Sequence, residues 1–174
     1  MQLQEIDKAT YRKHANIVIG SFIAGLVILS LTISFTLIAY YGQTPVEGAE
    51  STGNFRFNLA GVIAAALICS AILFRLRNHP FLAEVYYIWR LKQLTNRIYR
   101  KLAKVKVSAD ENNQNALVCL TFYYTALRQI YLLDDNTLTL QELDRNIETL
   151  NSQISSLGIS VSTDQFTPEL LKGF

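Results

Sequence analysis

Two stretches without a charged side chain dominate the pattern of apolar and polar positions, Ala15 to Val46 and Phe57 to Phe74. A helix rises about 1.5 Å per residue, so roughly 20 apolar residues cross the hydrocarbon core of a bilayer. Residues 17–41 are long enough with tilt, and residues 57–74 reach the lower limit, bounded by Arg56 and Arg75, whose stems can snorkel outward. The first run is too long for the apolar part of a cleavable signal peptide, about 7–15 residues. With Tyr40 and Tyr41 as an interfacial aromatic anchor, an uncleaved signal-anchor helix is expected.

Beyond the second run the pattern turns amphipathic. Pro80 suits the first turn of a new helix, where its missing N–H is not needed. From Phe81 to about Val107, Leu91, Thr95, Ile98, Leu102 and Val105 follow 4-3-4-3 spacing, while Arg90, Arg97, Lys101 and Lys104 fall on another stripe. Ser108 to Asn113 interrupt, and Ala116, Leu117, Leu120, Tyr124, Leu127 and Tyr131 restore helical spacing to about Leu133. Asp134-Asp135-Asn136 stop that helix, and Thr139 with Glu142 reads as a capping box for a third, carrying Leu143, Ile147, Leu150, Ile154 and Leu157. About two heptads are too few for an extended coiled coil. The expected architecture is all-α. It comprises an N-terminal segment (1–16), two membrane helices (17–41 and 57–74) joined by a loop (42–56), a three-helix hairpin or small bundle (75–157) and a flexible tail (158–174).

Charge orients this arrangement. Between Arg75 and Lys106 there are nine Lys or Arg and one acid, Glu84, so the net charge of +2 averages over a segregated chain. Lys8, Arg12 and Lys13 precede the first membrane helix, and Arg75, Arg77, Arg90 and Lys92 follow the second. The loop has Arg56 beside Glu47 and Glu50, so the excess of basic flanks places both termini in the cytoplasm. Small residues recur four apart in both helices, including Ser21 and Gly25, Ser30 and Ser34, and Gly61 and Ala65. Such residues pair helices within one chain or between copies. Neither span carries an ionisable Asp, Glu, Lys, Arg or His, which disfavours a transporter or proton pump.

Candidate chemistry is sparse. The aromatics Phe81, Tyr86, Tyr87 and Trp89, followed by a basic stripe, suit the headgroup layer of an anionic membrane. The candidate lipid-binding set is Arg75, Arg77, Trp89, Arg90, Arg97, Lys101 and Lys104; a soluble helix with a small aromatic core is the competing reading. Leu143, Ile147, Leu150 and Ile154 are the candidate protein interface, for a second copy or another membrane protein. Nucleic acid is not an expected partner, because no recognised motif accompanies the basic run.

Asp134 cannot open a calcium loop, since the sixth position, which requires Gly, is Thr139 and the twelfth is Arg145. His14 and His79 lack further ligands at metal spacing, and Cys69 and Cys119 read as small buried hydrophobes. No catalytic constellation and no cofactor motif is found. A non-enzymatic interaction, scaffold or accessory-subunit protein is the expected function. The alternative is a homo-oligomeric channel lined by Ser21, Ser30, Thr32, Ser34 and Thr36.

Several segments carry a family resemblance as a set: Ile6-Asp7-Lys8 with Tyr11 to His14, Asn54 to Asn58, Arg75 to Phe81, Glu84 to Gln93, Asn96 to Lys101, and Leu133 to Leu138. Over residues 3–155 the chain resembles an uncharacterised family of small gammaproteobacterial membrane proteins known only as a domain of unknown function. The resemblance implies the bacterial inner membrane, where the basic flanks make the loop periplasmic, and brings no activity or catalytic residue.

Overall fold

The computed structural model describes residues 2–43 and 52–174. Pro45, Glu47 and Glu50 of the expected loop lie outside the described residues. The described residues form α-helices and 3-10 turns and no strand. The helices are α1 (Lys8–Tyr41), α2 (Phe55–Leu76), α3 (Ala83–Tyr99), α4 (Leu102–Asp110), α5 (Gln114–Leu133) and α6 (Leu140–Ser156), with 3-10 turns at Pro80–Leu82, Thr163–Gln165 and Pro168–Gly173. They divide into two compact units, one of Lys13–Ala83 and one of Glu84–Phe174 with the N-terminal residues up to Arg12.

In the first unit α1 and α2 meet through small residues. Gly61, Ala65 and Cys69 form a buried stripe at a spacing of four on α2. A Cβ added at Gly61 would lie 2.9 Å from the backbone oxygen of Ser30 and 2.9 Å from the backbone nitrogen of Ser34, so only glycine permits this approach. One at Gly25 would meet Cys69 Sγ at an ordinary 3.5 Å. Buried Asn54 closes the other end: its side chain accepts from Gln43 N at 3.1 Å and donates to Gln43 O at 3.2 Å. The sequence's small-residue pairs thus act at least in part within one chain. Near Pro80, His79 Nδ1 accepts from Phe81 N at 3.2 Å, and the His14 ring lies 4.1 Å from that of Phe81.

In the second unit α5 is the central element, against which α4, α6 and both C-terminal 3-10 turns pack. Ala116, Leu117, Cys119, Phe122 and Ala126 are fully buried on it. Asn113 starts the helix, its side chain accepting from Ala116 N at 3.2 Å, after Asn112 takes a left-handed φ of 62°.

Four expectations need correction. Three helices, not two, are long and apolar enough to cross a membrane, the third being α5. Hydropathy alone does not separate lipid from protein as the cover of an apolar helix, and α5 has 61% of its most apolar stretch buried by its own chain, against 6% for α1 and 17% for α2. The helix expected from Phe81 to Val107 breaks at Arg100–Lys101, where Lys101 leaves helical geometry at φ −113°, ψ 3°. The break lets α4 bury Val105 and Ala109, and α4 packs on α5. Thr139 stands at the start of α6 without a side-chain capping bond, so the capping box does not form. Finally, residues 158–174 are not a loose tail: Phe166 and Leu171 are 2% and 3% exposed, and the Phe166 ring stacks on Phe122 with centroids 4.2 Å apart.

Cys69 and Cys119 are free and buried. Burial pushes the Cys119 thiol up to about 11, which removes its thiolate at neutral pH. A water-soluble maleimide at pH 7 is expected to add no mass to the native protein and two adducts after denaturation. A single fast adduct in the native state contradicts this burial.

Candidate functional site

Every candidate lipid contact on α3 lies on one long surface. Tyr86, Arg90, Gln93 and Arg97 succeed one another at 4-3-4 spacing, which places them on one face. With Trp89 and Leu94, and with Pro168 of the C-terminal 3-10 turn, they line a groove of about 370 Å³. The Trp89 indole stacks on the Tyr86 ring with centroids 5.7 Å apart and an interplanar angle of 15°. It remains 54% exposed, whereas Leu94 beneath is 8% exposed. The groove therefore has a covered apolar floor, an aromatic pair at one end, of which Trp89 is exposed and Tyr86 half-buried, and two exposed guanidinium groups two helical turns apart. None of the ion pairs among the described residues uses Arg90 or Arg97.

The other cations of the predicted set go elsewhere. Lys101 Nζ donates to the backbone oxygen of Leu171 at 2.7 Å and holds the C-terminal turn. Lys104 lines a separate groove with Ala103, Val107 and Phe174. Arg75 and Arg77 belong to the other unit, where the Arg77 guanidinium lies 3.8 Å over the Phe74 ring. Of the predicted interface, Leu143 and Leu150 are each 5% exposed on α6, which packs against α5, so they are core residues rather than an open contact surface. Ile147 and Ile154 are half-buried.

A second polar cluster escaped the sequence reading. The N-terminal residues clasp the end of α5: Lys8 and Arg12 pair with Asp135, and the Tyr11 hydroxyl donates to Asp134 Oδ1 at 3.1 Å. Lys92 of α3 reaches Asp134 from the other side at 2.6 Å. One turn away, Gln4 N donates to the Tyr87 hydroxyl at 2.8 Å, and Gln129 Nε2 donates to Gln4 O at 2.5 Å. Burial first, then the Asp134 charge, push the Tyr11 hydroxyl up to about 12. These ion pairs are half-exposed, and such pairs contribute about 0–1 kcal/mol each. Buried Tyr11, 7% exposed, supplies the apolar part of the clasp. The acidic pair that interrupts the helical pattern thus serves as a docking point, and Lys8 and Arg12 are both flanking cations and its ligands.

No group of three His, Cys, Asp or Glu among the described residues is placed to hold a metal ion.

These features define an all-α protein with helices apolar enough to span a membrane and a well-packed helical unit that displays a cationic, aromatic groove. The chain belongs to the family described as "Protein of unknown function (DUF3087)", whose profile matches residues 1–171. That match covers the turn at Thr163–Gln165 and the first part of that at Pro168–Gly173, as well as the segments that carried the resemblance. Neither a curated protein nor a solved structure matches the chain.

Proposed function

We propose that this is a non-enzymatic interaction or accessory-subunit protein of the bacterial inner membrane. In this reading α1 and α2 are a two-pass anchor with both termini cytoplasmic, and α5 stays in the cytoplasmic unit. That unit binds a second copy or another membrane protein beside anionic lipid. The observation that carries the reading is the contrast in cover. Leu31, Phe35, Leu67 and Phe74 on α1 and α2 are all more than half exposed, whereas most apolar residues of α5 are enclosed by their own chain, Leu132 being the exposed exception. Bare apolar surface of this extent calls for a lipid or protein cover.

The channel alternative has less support. Ser30, Thr32 and Thr36 each donate to a backbone oxygen one turn back, at 3.0, 2.8 and 2.7 Å, and Ser34 donates to Asn58 O at 3.3 Å. Hydroxyls that donate to their own backbone are satisfied in lipid without a water-filled pore. For partner contact, the burial of Leu143 and Leu150 shifts attention to Ile147 and Ile154 and to the exposed Tyr99, Val107 and Leu138.

The test is purification of the tagged full-length chain from membranes in a mild detergent, with mass measurement of the intact complex. A stoichiometric partner or a defined homo-oligomer is expected, with the protein retained in the membrane pellet at alkaline pH. A lone monomer refutes the interaction role, and release into the supernatant refutes the anchor.

A further inference from the structure

The groove on α3 has the chemistry of a phosphate site. Arg90 and Arg97 flank Gln93 on one stripe, so the groove offers two guanidinium forks and an amide, with no carboxylate among its lining residues. A guanidinium fork fits phosphate oxygens in a bidentate manner, and two forks on one helix face can close on a single phosphate or on neighbouring ones. Both cations are exposed and outside every ion pair among the described residues, so an arriving anion displaces no internal partner.

The aromatic pair indicates the source of that phosphate. A site for a free anion gains nothing from an indole left 54% exposed, yet Trp89 is held in that position by its stack on Tyr86. Indole and phenol rings with one apolar and one polar edge favour the layer between headgroups and acyl chains. The far wall is built as well. Pro168 is kept beside α3 by the bond from Lys101 to Leu171 O and by the Phe166–Phe122 stack, so the C-terminal turn completes the groove.

We propose that the groove formed by Tyr86, Trp89, Arg90, Arg97 and Pro168 binds the phosphate-bearing headgroup of an anionic phospholipid. The two arginines take the phosphate, and the Tyr86–Trp89 pair sits among the glycerol and upper acyl groups. This rests on the reading of α1 and α2 as a membrane anchor, which brings lipid within reach of the chain.

Trp89 is the sole tryptophan of the chain, so its fluorescence reports on this groove alone. Full-length protein in a neutral detergent is titrated with short-chain phosphatidylglycerol, with phosphatidylcholine of the same chain length, and with inorganic phosphate. Phosphatidylglycerol is expected to give a saturable spectral shift that phosphatidylcholine does not reproduce. In R90Q/R97Q the midpoint should rise at least about tenfold, while Lys106→Gln, an exposed cation outside the groove, leaves it unchanged. Unaltered circular dichroism shows that the double variant is folded.

Equal response to phosphatidylcholine, no saturable response, or an unmoved midpoint in the double variant overturns the proposal. Inorganic phosphate binding as tightly as phosphatidylglycerol overturns the assignment to lipid. The titration uses purified protein without any partner. Its failure therefore leaves the outcome of the complex purification standing, and a lone monomer in that purification leaves the titration standing.

Discussion

Replacing Phe166 with alanine is expected to destabilise the helical unit by about 3–5 kcal/mol, the range for removing a fully enclosed phenyl ring. Both rings of the Phe166–Phe122 stack are within 2% of complete burial, and they lie nearly parallel at an angle of 16°. The change removes apolar area, leaves a cavity against Phe122 and frees the turn that Leu171 and Lys101 hold from the other side. A domain is typically stable by about 5–15 kcal/mol, so the loss is a large share of the total. Urea unfolding of the full-length chain, followed by helical circular dichroism, gives the number. Limited trypsin digestion should also cut earlier at Lys172 in the variant. A change below about 1 kcal/mol shows that residues 158–174 do not belong to the core.

The second large effect is expected at Gly61. The alanine methyl group there meets the Ser34 hydroxyl first, and behind it the backbone of Ser30 and Ser34, which cannot turn away as a side chain can. The helices must separate, at about 1–3 kcal/mol for an overpacked contact. Gly20 is the internal control, because a Cβ there meets nothing within 4 Å. Gly20→Ala should leave stability unchanged or raise it slightly, since alanine is the better helix former. Titration of each variant with sodium dodecyl sulfate in mixed micelles ranks them. Equal midpoints for Gly61→Ala and Gly20→Ala count against the close approach of α1 and α2.

Much of the architecture was legible because helices declare themselves locally. The uncharged runs, the Ala116 to Tyr131 spacing and the Leu143 to Leu157 spacing each depend on residues a turn apart, and each became a helix. What the sequence did not disclose depends on residues far apart. Phe166 is an isolated apolar residue after a Ser- and Thr-rich stretch, Leu171 belongs to a bare Leu170-Leu171 pair, and nothing nearby announces the cover that α5 provides. Lys101 and Lys104 share the basic stripe of Arg90 and Arg97 in a helix drawn without a break. The break at Arg100–Lys101 and the contact with Leu171 take them out of the groove. The apolar character of α5 is visible in sequence, whereas its enclosure by protein appears only once α4, α6 and the C-terminal turns are in place.

The Asp134–Asp135 pair illustrates the same limit: beside a helix end, two acids read as a stop signal. Their partners Tyr11, Lys8 and Arg12 are more than a hundred positions upstream, where basic residues before an apolar run already have a sufficient explanation.

That clasp also carries an order in time. Lys8 and Asp135 are 127 positions apart, and Gln4 and Gln129 are 125 apart, so the N-terminal residues leave the ribosome well before their docking site exists. At about 5–20 residues per second the interval is on the order of ten seconds. Throughout it Lys8 and Arg12 are bare cations in front of an apolar helix, the state in which they can hold the N-terminus on the side of synthesis in the membrane-anchored reading. When α5 is complete, Asp135 pairs with both of these cations. In that reading the two residues that orient the chain during synthesis become a structural joint in the finished protein.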